Sequence, residues 1–273
     1  MTIDPGAITS HLFDVRGRCA VVTGAAGGLG LAIAEVLADC GARVTLADVH
    51  AEHLEEATAV LAARGCDVRA AVTDVTEDAS VRALFDGAQA AFGGLDIVFA
   101  NAGIAAVPGY ANAGGQELHT VADDVWRRVL AVNLDGVLHT MRAAAAVMKA
   151  QGSGRIVVTA STAGLRADPM VCYGYAASKA AVINVAKQAA LELAPHGVHV
   201  NVIAPGPIKT RIGGGVTPES ERVWSALVPL GRMGETEELK GLALLLASRA
   251  ASFITGAVVT IDGGQLLGEP GGW

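Results

Sequence analysis

The chain has 273 residues, 52% of them hydrophobic and 17% charged, which excludes a disordered polymer and leaves room for a large buried core. Twenty basic against 27 acidic side chains give a formal charge of −7, which speaks against nucleic acid or an anionic membrane surface as partner, since both rest on Lys and Arg. Aromatic residues make up only 4%, so the core is expected to be built of Ala, Val, Leu and Ile.

The first ten residues carry Asp4, Pro5 and Gly6 and no basic region, unlike a signal peptide. No run approaches twenty uncharged apolar residues, so no membrane-spanning helix is expected. Short apolar runs then alternate with longer amphipathic ones. Strands are expected over 19–23, 43–47, 68–72, 95–100, 155–160, 198–204 and 257–261. Most are continuously apolar, the pattern of strands covered on both faces in a parallel sheet. Helices are expected between them, over 29–40, 51–64, 77–92, 122–150, 176–194 and 236–248. Gly41, Gly65, Gly93 and Gly197 stand where helix ends need a left-handed residue. Strand and helix alternating in this way predict an α/β fold: one Rossmann-like domain over 1–273, a doubly wound, mostly parallel seven-stranded sheet with helices on both faces. Two glycine-rich segments interrupt the rhythm, 105–116 and 207–228, and both are expected at the substrate entrance, the second as a lid hinged at Gly213–Gly215 with Trp224, Leu227 and Val228 on its apolar face.

Four cysteines, Cys19, Cys40, Cys66 and Cys172, form no CxxC pair. Free thiols in a reducing cytoplasm are the simpler expectation, with no zinc knuckle and no redox dithiol. His50 and His53 lack an acidic or thiol partner at metal-ligand spacing, so no metal is expected.

The first strand runs into Thr23-Gly24-Ala25-Ala26-Gly27-Gly28-Leu29-Gly30. Glycines let a backbone turn tightly against a pyrophosphate, and the helix that follows points free N–H groups at it. The second strand ends in Asp48, about 20 residues on, where a carboxylate accepts hydrogen bonds from an adenosine ribose and repels a 2′-phosphate; this favours NAD over NADP. Further along, Tyr175 and Lys179 stand at i and i+4, on one helix face. A cation beside a phenol lowers its pKa from about 10, so Tyr175 is a candidate acid/base. Ser161 follows a strand's carboxyl end, where its hydroxyl could donate to a developing oxyanion.

Taken together, these residues resemble the short-chain dehydrogenase/reductase family over roughly 12–264. The glycines are spaced as that family spaces them. Asp74-Val75 matches its adenine contact, and Asn101-Ala102-Gly103 its fourth-strand motif, with Ala100 in place of the common first Asn. Asn133 matches the asparagine that holds a relay water. Pro205-Gly206-Pro207-Ile208-Lys209-Thr210 matches the nicotinamide segment, and Ile261-Asp262-Gly263-Gly264 the usual end. The resemblance implies catalytic Asn133, Ser161, Tyr175 and Lys179. It implies a cofactor site of Gly24, Gly28, Leu29, Gly30, Asp48, Asp74, Val75, Asn101, Gly103, Tyr175, Lys179, Pro205, Gly206, Ile208 and Thr210. It also implies a homotetramer acting on a small molecule. The expected activity is NAD-dependent interconversion of a secondary alcohol and a ketone. A 3-oxoacyl-[acyl-carrier-protein] reductase is the alternative, disfavoured by Asp48 and the negative charge, and a non-catalytic dinucleotide sensor is a further one. The expected pocket wall is mainly apolar, drawn from Ile104, Ala105, Thr162, Ala163, Leu165, Met170, Val171, Pro207 and 212–216, with Arg166 and Lys209 as possible charged members. That composition suggests a hydrophobic substrate.

Overall fold

The computed structural model describes residues 11–105 and 117–268. Seven parallel strands lie in the order β3-β2-β1-β4-β5-β6-β7. They are β1 (Cys19–Thr23), β2 (Arg43–Asp48), β3 (Val68–Val72), β4 (Ile97–Ala100), β5 (Gly154–Thr159), β6 (Val198–Pro205) and β7 (Val258–Ile261). Successive side chains of a strand point to opposite faces, and the core divides accordingly. Val21, Val98 and Ile156 face one apolar cluster, and Val22, Phe99 and Val157 face the other.

Three helices close the first face: α3 (Asp78–Phe92), α5 (Gly136–Gln151) and α6 (Tyr173–Leu193). The second face is closed by α1 (Gly28–Asp39), α2 (Ala51–Ala63) and α8 (Lys240–Ala247). Two further helices are α4 (Asp123–Leu130), packed against α6, and α7 (Pro218–Ala226), which follows β6 in the chain. Among the described residues no helix is long and apolar enough to cross a membrane.

The fold is therefore the expected single Rossmann-like α/β domain. The strand order reverses between β1 and β4, and the crevice above that point is where open α/β sheets take ligands. Two local expectations change. Residues 123–151 are helical without a break, as expected, but the helix is not uniform: a π turn, Ala131–Asp135, stands between α4 and α5. Its widened turn accommodates Asn133, which is fully buried and bonded to another segment, a tertiary demand that helical periodicity does not carry. The edge strand β3 is not covered on both faces either, and Val72 is 61% exposed.

Candidate active site

The cradle at the end of β1 is built from backbone. Gly24 and Gly28 adopt left-handed φ values of +69° and +55°, which glycine reaches without strain. At Gly30 a Cβ would land on the Gly24 carbonyl oxygen, so α1 can approach the turn this closely only as glycine. Leu29 packs into the second core cluster, so the chain contributes main chain rather than a side chain there. Asp48 closes the side of the cradle: its carboxylate accepts from Ala26 N at 3.1 Å and His50 N at 3.0 Å. Asn101 ties the ends of β1 and β4 together, donating from Nδ2 to Thr23 O at 3.1 Å.

The flanking residues that the resemblance names are fixed by local contacts. Asp74 accepts from the main chain and hydroxyl of Thr76. Val75 is buried against Gly136. Gly206 packs against Asp262, where a Cβ would come within 2.7 Å, and Thr210 reaches over the glycine turn, 3.5 Å from where a Gly28 Cβ would stand. Ile208 bridges to Gly234, which fastens the 205–210 segment to the rest of the domain.

On the other side of the crevice Ser161, Tyr175 and Lys179 converge. Ser161 follows β5, and its Oγ accepts from Ala163 N at 3.1 Å, so the chain there is capped by its own hydroxyl. Tyr175 stands in the first turn of α6, which begins at Tyr173 rather than at 176. Lys179 is buried, its Nζ donating to Thr159 O at 2.9 Å and lying 5.6 Å from the centre of the Tyr175 ring. Gly103 makes room for it: a Cβ there would come within 3.3 Å of Nζ and 3.4 Å of Asn133 Oδ1. Asn133 clamps Ile104, accepting from its N at 2.8 Å and donating to its O at 2.9 Å.

The electrostatics depart from the expectation that Lys179 draws the phenol below its ordinary range. Burial raises the Tyr175 pKa, and the neighbouring Ser161 hydroxyl opposes that rise. Burial also lowers Lys179 to about 8. The physical reason is that both groups leave water together and the ammonium turns to a carbonyl rather than to the phenol. Among the described residues Lys179 has no carboxylate partner, and one of its three N–H donors is engaged by protein. Its remaining donors suit the hydroxyls of a nucleotide ribose.

A cavity of about 520 Å³ opens beside Ser161 and Tyr175. Ala105, Thr162, Met170, Val171, Pro207 and the 212–216 turn line it as expected, whereas Ile104, Ala163, Leu165, Arg166 and Lys209 do not. Residues 106–116, the rest of the first entrance segment, lie outside the described residues. In the second segment, Val223 and Trp224 of α7 face the cavity. Leu227 is not on the wall, and Val228 is buried against Gly263, so it anchors the segment instead of covering the cavity. Lys209 is held by Glu221 at 2.7 Å and Glu235 at 2.9 Å.

Sequence reasoning missed Asp168, Cys172, Met233 and Gln265, all on the wall. Gln265 is fully buried; its Oε1 accepts from Thr162 Oγ1 at 2.9 Å, while Nε2 has no partner among the described residues. Its place directly after Asp262-Gly263-Gly264 was the one available signal.

Comparison with known proteins gives the family. The family model described as enoyl-(acyl carrier protein) reductase matches residues 24–265. A cis-4-hydroxycyclohexanecarboxylate dehydrogenase of Sinomonas cyclohexanicum is 40% identical over 90% of this chain and 96% of its own. A galactitol 2-dehydrogenase (L-tagatose-forming) of Cereibacter sphaeroides is 37% identical over 94% of this chain and 98% of its own. Among solved structures, a gluconate 5-dehydrogenase from Burkholderia cenocepacia in complex with NADP and tartrate superposes with a TM-score of 0.86, at 32% identity over 95% of this chain and 99% of that one. The chain belongs to the short-chain dehydrogenase/reductase family. It is an oxidoreductase, as its relatives are.

Proposed function

We propose that the protein interconverts a secondary alcohol and a ketone with NAD(H), on a small molecule with a hydrophobic body. The observation that carries this reading is the convergence of Ser161, Tyr175 and Lys179 at one edge of a mainly apolar cavity, across the crevice from a glycine cradle. The cradle fits a dinucleotide: backbone of 24–30 for the pyrophosphate, Asp48 for the adenosine ribose, Asp74 and Val75 beside the adenine, and Asn101, Gly103, Lys179 and the 205–210 segment around the nicotinamide ribose and ring. When bound, the nicotinamide supplies or accepts the hydride.

The rest of the chemistry belongs to the chain. Tyr175 Oη exchanges a proton with the substrate oxygen, and Ser161 Oγ orients that oxygen and stabilises charge on it. Lys179 places a positive charge beneath the phenol and holds the ribose. Asn133 positions Ile104 and Gly103 along the path between lysine and solvent, where the relay water would sit. Within the 207–228 segment, Ile212, Val216, Val223 and Trp224 line the cavity.

The cofactor preference follows from Asp48. Its carboxylate, at the tip of β2, would repel a 2′-phosphate, and the next residues are Val49 and His50 rather than Arg or Lys. Repulsion there favours NAD by roughly a hundredfold or more.

The direct test is Tyr175→Phe. Oxidation of a broad panel of secondary alcohols with NAD should fall by about a thousandfold or more, while NADH binding, followed by fluorescence, should change little. Near-normal turnover in the variant would assign the proton transfer to another group. Turnover of no alcohol or ketone by the wild-type protein would remove the reading altogether.

A further inference from the structure

The cavity beside Tyr175 has a charge pattern that its apolar wall conceals. Its ionisable wall residues include two carboxylates, Asp168 and Glu219, and no Lys, Arg or His. Of the nearby basic residues Arg166, Lys209 and Arg211, none lines this cavity, and only Lys209 has an ion-pair partner among the described residues. Lys209 is paired with Glu221 and Glu235, Arg211 lines the neighbouring recess beside Gly28, and Arg166 is off the wall. The segments outside the described residues, 1–10, 106–116 and 269–273, contain no Lys, Arg or His, so no side chain there can supply the missing cation.

Asp168 is the carboxylate with reach into the site. It is half-buried and lines the same cavity as Tyr175. Oδ1 accepts from Met170 N at 2.9 Å, while Oδ2 has no partner and the residue has no ion pair among the described residues. The local turn needs one acceptor, which an asparagine supplies equally well. The second oxygen and the charge are surplus to that structural role.

Resting on the alcohol–ketone reading above, we infer that the substrate carries a protonated amine on an apolar body and that Asp168 receives the ammonium group. A charged donor to a half-buried carboxylate makes a stronger bond than a neutral one. Trp224, on the same wall, adds an aromatic surface of the kind that attracts cations. A carboxylate-bearing substrate would meet like charge at Asp168 and Glu219 instead. The inferred substrate therefore differs in charge from the one that names the hydroxycyclohexanecarboxylate relative. Specificity here works by repelling the anion as well as by attracting the cation.

Calorimetry on the enzyme–NADH complex near neutral pH tests the inference with three probes of one shape: cyclohexylamine, cyclohexanol and cyclohexanecarboxylate. The ammonium probe should bind at least about tenfold more tightly than the carboxylate, the size of one charge-assisted contact. In Asp168→Asn, which keeps the turn acceptor, the preference should shrink to about threefold or less. The ratio is taken within each protein, so a general loss of affinity does not mimic the result, and the wild-type comparison needs no variant. Equal or tighter binding of the carboxylate, absence of ammonium binding, or an unchanged preference in Asp168→Asn would each overturn it. Turnover separates this outcome from the parent reading. If 4-aminocyclohexanol and every other alcohol stay unoxidised with NAD while the ammonium preference holds, the activity is misassigned and the charge selectivity stands.

Discussion

The two walls of the crevice are made differently. On the cofactor wall, contacts come from main chain: a turn with two left-handed glycines, the free end of α1, and one carboxylate at the tip of β2. On the substrate wall they come from side chains delivered by the loop after β5, the start of α6, the helix α7 and the turn after β7. Backbone geometry tolerates few residue types, because only glycine has no Cβ. A side-chain wall can change composition while the fold stands.

The sharpest way to break that contrast is a pair of alanines on the cofactor wall. Gly30→Ala drives a Cβ into the Gly24 carbonyl and should weaken NADH binding by about a thousandfold or prevent folding. Gly27→Ala, three residues away, meets no protein atom within 4 Å on extended backbone, so thermal melting should find its stability within a few degrees of wild type.

Asp48→Ser should follow in size. Removing the carboxylate should lower the NAD-to-NADP ratio of kcat/KM by roughly a hundredfold, mostly through better use of NADP. An unchanged ratio would place the discrimination on another residue.

On the substrate wall, Trp224→Ala should cost about tenfold in kcat/KM for a hydrophobic substrate, from lost apolar contact, with the NADH dissociation constant little altered. A parallel loss of NADH affinity would show that α7 supports both walls.

The smallest expected effect joins the two walls through Lys179. Its pKa falls from 10.5 to about 8 because burial disfavours the charged form. The unfolded chain therefore holds more protons than the folded one between those values, and stability rises with pH there. The contribution is fully present above about 10.5 and is lost as pH falls through about 8. In Lys179→Met the cofactor-free protein should lose that slope and melt a few degrees higher near pH 7, while turnover collapses. A thermal scan against pH that is identical in the two proteins would mean that the buried ammonium costs nothing.

Much was legible from local spacing. The seven strands, the glycine turn and Asp48 follow from apolar runs, from residues without Cβ and from a distance along the chain. Tyr175 and Lys179 share a helix face because helical geometry requires it. Other features depend on what lies across the fold. Asn133 turns inward through a π turn because Ile104 needs a clamp. The phenol rises in pKa because it is buried, and Gln265 reaches the wall because β7 ends beside β6. The net electrostatic character of the substrate wall was equally hidden. Arg166 and Lys209 looked available in the sequence, while folding turned them away and left Asp168 facing in. The sequence by itself determined the sheet, the glycine turn and the shared helix face of Tyr175 and Lys179, since each rests on backbone conformation or on neighbours within a few positions. Only the tertiary structure decided which charges face the substrate, because that depends on which of several distant side chains finds its partner elsewhere.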